Sequence, residues 1–149
     1  MNRKAPRLAA ILLALSLIAP GLGWAQGQPG DAGRLNAGYD LLEQGKFDQA
    51  QKVFEEVLRQ DPGHPLALNN LAAILVKQGK FDQALAFLKR ALPRSRGFKV
   101  PLNRVCNIDG ICAACRLGEE QFGAEDLEAV VKSNILMVEM ARSSRRGPK

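Results

Sequence analysis

The chain has 149 residues, with 21 basic and 15 acidic side chains, three cysteines and one histidine; that is room for one small domain and few groups for a metal site or a catalytic triad. Arg3, Lys4 and Arg7 precede the apolar run LAAILLALSLIA, and without those three the charge excess falls from +6 to +3, too small a surplus to argue for nucleic acid. Basic and aromatic residues do not interleave as a stacking and phosphate-binding surface requires.

The basic start, the apolar run from Leu8 to Ala19 and the exit through Pro20, Gly21 and Gly23 read as a secretory signal peptide over residues 1–25. The run is shorter than the roughly 20 residues a membrane-spanning helix needs. A secreted or periplasmic location is expected, with membrane attachment only if this segment stays uncleaved.

The stretch QGKFDQA then occurs twice, at Gln44 to Ala50 and at Gln78 to Ala84, 34 positions apart. Chance would produce such a match at a chosen offset on the order of once in 10⁸ trials. Apolar residues follow helical spacing on both sides of the shared glycine: Ala37, Gly38 and Leu41 before it, then Phe47, Ala50, Phe54, Val57 and Leu58 after it. Each unit therefore reads as two amphipathic helices joined by a tight turn. Gly45 and Gly79 suit the positive φ that ends a helix. Asp48 and Asp82 begin the next helix, where carboxylates complement exposed N–H groups. Ala50 and Ala84 are small where the two helix axes should come closest.

A helix-turn-helix unit of this period resembles the tetratricopeptide repeat. Gly38, Leu41, Gly45, Phe47, Ala50, Phe54 and Pro62 fall on the family's pattern in the first unit, and Leu71, Ala72, Leu75, Gly79, Phe81, Ala84 and Ala91 in the second. Arg34 stands where the family often has Trp, and Pro93 comes three residues earlier than the usual closing proline. The resemblance implies an all-α fold with repeats at 31–64 and 65–92. It further implies that the first helix of each pair lines a concave groove for a peptide or partner protein. The groove positions carried over are Leu35, Asn36, Tyr39, Leu42 and Glu43, then Asn69, Asn70, Ala73, Val76 and Lys77. Tyr39 offers an anchor, and Asn69 and Asn70 can pair with the main chain of an extended ligand. A clamp for a terminal carboxylate is not expected, because Leu35 and Tyr39 stand where Lys and Asn would be needed and only Asn70 fits.

Residues 93–123 break the helical period. Pro101 and Asp109-Gly110 punctuate this cysteine-containing loop or hairpin, and VCNIDGICA suggests a hairpin about a D-G turn. A two-residue turn would set Ile108 opposite Ile111 and Cys106 opposite Ala113, leaving Cys112 on the other face; a different turn would make Cys106 and Cys112 neighbours. The candidates for a disulfide are Cys106, Cys112 and Cys115, with connectivity open. Other readings are a C-A-A-C redox pair, which lacks a preceding βαβ setting, a zinc site that would have to recruit the distant His64, and an intermolecular bond through the odd thiol. Haem attachment is disfavoured by Arg116 in the place of His. A thiol-disulfide or metal-binding accessory protein is thus the alternative to an adaptor.

Two repeats leave an apolar face that a third would normally cover. The segment 124–143 places Leu127, Val130, Val131, Asn134, Ile135 and Val138 along one side, and a capping helix is expected there, with a dimer interface as the competing use. Residues 144–149 form a basic tail. With a lone His64 read as a solvated turn residue and no glycine-rich phosphate loop, neither enzymatic activity nor a cofactor nor a metal site is expected.

Overall fold

Two helix pairs grow from the duplicated turn: α1 (Asp31–Glu43) with α2 (Phe47–Gln60), and α3 (Pro65–Lys77) with α4 (Phe81–Ser95). The computed structural model describes residues 31–101, 104–114 and 124–146, so the expected leader, Cys115 and residues 147–149 lie outside the description, as do the side chains of residues 31, 99–107, 114, 124, 125 and 146. Both turns close alike. Lys46 N–H donates to Leu41 C=O and Gly45 N–H to Leu42 C=O at 2.9 and 3.0 Å, and Lys80 and Gly79 repeat the pattern on Leu75 and Val76, both at 2.8 Å. This is a Schellman closure, which satisfies the last carbonyls of a helix and needs a left-handed residue after it. Gly45 and Gly79 supply that residue at φ 72° and 75°.

Within each pair, small residues set the approach of the helices. Ala50 and Ala84 are fully buried, and a Cβ on Gly38 would lie 2.6 Å from the Phe54 ring. Between the pairs, His64 is the N-cap of α3 rather than a solvated turn residue. Its Nδ1 accepts from Ala67 N–H at 3.4 Å, and its ring meets Phe98 edge-on. Arg94 on α4 donates to both carboxylate oxygens of Asp61, at 2.6 and 3.0 Å, tying this turn to the second pair. The Arg94 bonds, with help from Gly63 N–H, hold the Asp61 carboxyl below its ordinary value.

Helix α3 is buried at every position from Pro65 to Val76. A helix apolar all round must be covered on all sides, and two repeats cannot do that. The cover comes from the C-terminal third. Strands β2 (Arg104–Ile108) and β3 (Ile111–Ala114) form an antiparallel hairpin against α3, and α5 (Leu127–Arg146) packs chiefly on α4 and also touches β3 and α3. Ile108, Ile111 and Ala113 of the hairpin and Leu127, Val130, Val131 and Val138 of α5 join the same core as the repeats. Each buried Ile or Val contributes about 1.5–3 kcal/mol relative to exposure, so this cover supplies what a third repeat would.

Strands β1 (Lys99–Pro101) and β4 (Ala124–Asp126) pair antiparallel and bring the chain back to α5. Asp126 Oδ1 accepts from Glu128 N–H at 3.0 Å, capping that helix, and Glu128 pairs with Arg96 and Lys132.

Three boundaries differ from the sequence reading. Helix α4 runs through Pro93 to Ser95, because a proline in the last turn of a helix forfeits little beyond its own N–H bond. The C-terminal helix begins at Leu127, after β4, and continues to Arg146, so residues 144–146 of the expected tail are helical. The hairpin register differs too. Ile108 faces Ile111 as expected, but a bulge makes Val105 the partner of Ala113, where Cys106 was expected.

Candidate partner-binding surface

The D-G turn that starts β3 has Asp109 at φ 50° and Gly110 at φ 83°, the left-handed pair that a two-residue hairpin turn needs. Residues flanking such a turn bond to each other, so the next residue, Cys112, directs its N–H and C=O away from β2. Those two groups would be unpaired in a bare two-stranded hairpin. Here Asn134 of α5 takes both: its Oδ1 accepts from Cys112 N–H at 3.0 Å and its Nδ2 donates to Cys112 C=O at 2.8 Å. One side-chain amide thus acts as a further strand, one peptide unit long.

Asn69 on α3 completes the arrangement. Its Nδ2 donates to the same Cys112 carbonyl at 3.1 Å and to Asn70 Oδ1 at 3.2 Å, while its Oδ1 accepts from Asn134 Nδ2 at 2.9 Å. Asn69 and Asn134 are fully buried and Asn70 is 1% exposed. Among the described residues no buried side-chain nitrogen or oxygen lacks a partner. Turning any one of the three amides over would set donor against donor, so the network fixes the orientation of all of them.

The ten groove positions read from sequence divide unequally. On α3, Asn69, Asn70, Ala73 and Val76 are buried, and Lys77 is exposed with its Nζ 3.4 Å from Asp109 Oδ1 at the hairpin tip. On α1, Leu35, Tyr39 and Leu42 are buried, Asn36 is half-buried and Glu43 is exposed. The α3 face is therefore not an open groove in this structure, because the β2–β3 hairpin of the same chain lies on it. Asn134 was seen in the sequence only as a member of an apolar stripe. A polar residue inside such a stripe was the available signal, since a buried amide demands a partner.

Cys112 is half-buried and disulfide-bonded. The residues after it, Ala113 and Ala114, are extended and paired with Val105 and Arg104. No group of three or more His, Cys, Asp or Glu is placed to hold a metal among the described residues, and no described helix is long and apolar enough to cross a membrane. Elsewhere, Leu136, Met137 and Met140 of α5 are exposed beside Asp109. A cavity of about 340 Å³ among α2, α3 and α4 is lined by Leu58, Leu71, Leu75 and Phe87 together with polar residues.

No curated protein and no solved structure matches the chain. A family model does match, over residues 41–98, from the last turn of α1 through α4 to Phe98. With the duplicated Schellman turns and the two helix pairs, that match makes this part of the chain a member of the tetratricopeptide repeat family.

Proposed function

We propose that the chain is an exported protein–protein interaction adaptor, holding an extended segment of its partner on the concave side of its repeats. Tetratricopeptide repeats mediate contacts between proteins and typically act as scaffolds rather than catalysts. The observation that carries the finer reading is the grip of Asn69 on the Cys112 carbonyl. The first helix of the second repeat already holds the main chain of an extended strand. Main-chain bonding tolerates many sequences, and selectivity then comes from pockets for alternate side chains. A partner strand with small or apolar residues suits the place where Ile111 and Ala113 now sit, entering past Glu43 and Lys77, the two exposed residues at the ends of α1 and α3. Export rests on the leader at residues 1–25.

The test is photo-cross-linking in the native compartment from a probe at Glu43 or Lys77, with Arg59 and Gln83, both exposed on the second helices, as controls. The expected result is an adduct from the first two positions to one extended stretch of a partner. Adducts formed only from Arg59 and Gln83 would move the interaction to the convex face and end the groove reading.

A further inference from the structure

The disulfide at Cys112 has two possible partners in the chain, Cys106 and Cys115. The backbone discriminates between them. The two residues that separate Cys112 from Cys115 in sequence, Ala113 and Ala114, are extended and rise about 3.3 Å each, whereas a bridge needs its Cα atoms within roughly 4.4–6.8 Å. Across the ladder, Val105 faces Ala113 and Ile108 faces Ile111, so the bulge sets two residues, Cys106 and Asn107, against Cys112 alone. Register therefore brings the Cys106 backbone beside Cys112.

That bond would close the hairpin lying on the α3 face. A two-stranded hairpin is at best marginally stable alone, and this one is held by Ile108 and Ile111, by the Asn69 and Asn134 amides and by Lys77 at its tip. Closing a loop of this length is worth a factor on the order of 50 in the unfolding equilibrium of the hairpin. We propose that a Cys106–Cys112 disulfide latches the hairpin onto the repeat face, and that its reduction by a dithiol releases the Asn69–Asn134 site to an extended segment of another protein. The exchange is balanced: the dithiol gives two electrons and two protons, leaving thiols at Cys106 and Cys112 and becoming a disulfide itself. The release step rests on the groove reading proposed above; the connectivity does not.

Three measurements on the full chain test it. Trypsin leaves Val105 to Arg116 as one peptide, but cleavage before Asp109 divides Cys106 from Cys112 and Cys115. Without reductant the two fragments should stay linked, in the wild type and in Cys115→Ser alike; fragments that separate, or a link lost in Cys115→Ser, would overturn the connectivity. Hydrogen exchange at the Cys112 amide should speed up at least tenfold on reduction, and an unchanged rate would overturn the latch. Finally, a labelled peptide copying residues 108–114 should bind the reduced protein at least tenfold more tightly than the oxidised one. Equal binding to both states ends the latch but leaves the groove reading standing. Faster exchange without binding to either state ends the groove reading and the release step, and leaves the disulfide as a purely structural lock.

Discussion

The two copies of QGKFDQA fold to the same backbone and have different neighbours. Around the first, a Cβ on Gly45 would meet nothing within 4 Å, and Phe47 is half-buried. Around the second, a Cβ on Gly79 would come 3.3 Å from Arg145, whose guanidinium lies 4.7 Å from the centre of the Phe81 ring, while Arg142 pairs with Asp82 at 3.0 Å. The difference is α5, which docks on the second turn and not the first. Local sequence sets a turn; what the turn is used for depends on what packs against it. The same holds one helix earlier, where the α3 face is covered by the hairpin and by an amide from α5.

The largest expected effect comes from removing the cover. Val131→Asp puts a carboxylate at a fully buried site, and an uncompensated buried charge costs roughly 3–5 kcal/mol. Thermal melts followed by circular dichroism should show the repeats unfolding with α5; an unchanged melting temperature would mean that α5 does not cap them. Next is Asn134→Leu, which takes the partner from the Cys112 N–H and from Asn69 Oδ1, while the Cys112 carbonyl keeps its bond from Asn69. At about 1–3 kcal/mol per stranded group, the loss from the two should be about 2–6 kcal/mol in denaturant melts.

The comparison of the turns is sharpened by placing alanine in each. Gly45→Ala and Gly79→Ala both force an alanine to positive φ, costing about 1 kcal/mol or more each. A larger loss at Gly79 that disappears in the Arg145→Ala background would measure what α5 adds there; identical losses in every background would show that α5 leaves that turn alone. Arg145→Ala alone removes a partly exposed cation–π contact and should cost about 0.5–1 kcal/mol.

The smallest effect is pH-dependent. Hydrogen bonds from Arg96 and Lys132 hold the Glu128 carboxyl at about 2, against an ordinary 4.5. A depressed carboxyl stabilises the fold fully above its ordinary value and loses that contribution as the pH falls through the lowered one. Glu128→Gln should therefore melt slightly below the wild type at pH 7, with the gap closing toward pH 2. A gap that stays constant over that range would assign the loss to something other than the ion pairs.

Much of the repeat architecture was legible because its cues are local. Gly45, Gly79, Asp48, Asp82, Ala50 and Ala84 each act within one turn or one helix pair, and the same is true of Asp109-Gly110 in the hairpin. The bulge that moved Cys106 out of register with Ala113 was not legible. It depends on how the hairpin meets α3 and α5, and no short-range residue pattern announces it. His64 was misread for a related reason, since its capping role needs Ala67 in helical position and Phe98 packed against it.

By itself, then, the sequence determined the two helix pairs, their Schellman turns, the D-G hairpin turn and the apolar stripe of the last helix, because each follows from backbone preferences and spacing over a few residues. Only the tertiary structure decided that Asn69 of α3 and Asn134 of α5, 65 positions apart, converge on the main chain of Cys112, and that the expected groove is filled in cis. A buried amide has to find a partner, but which one depends on how the whole chain packs.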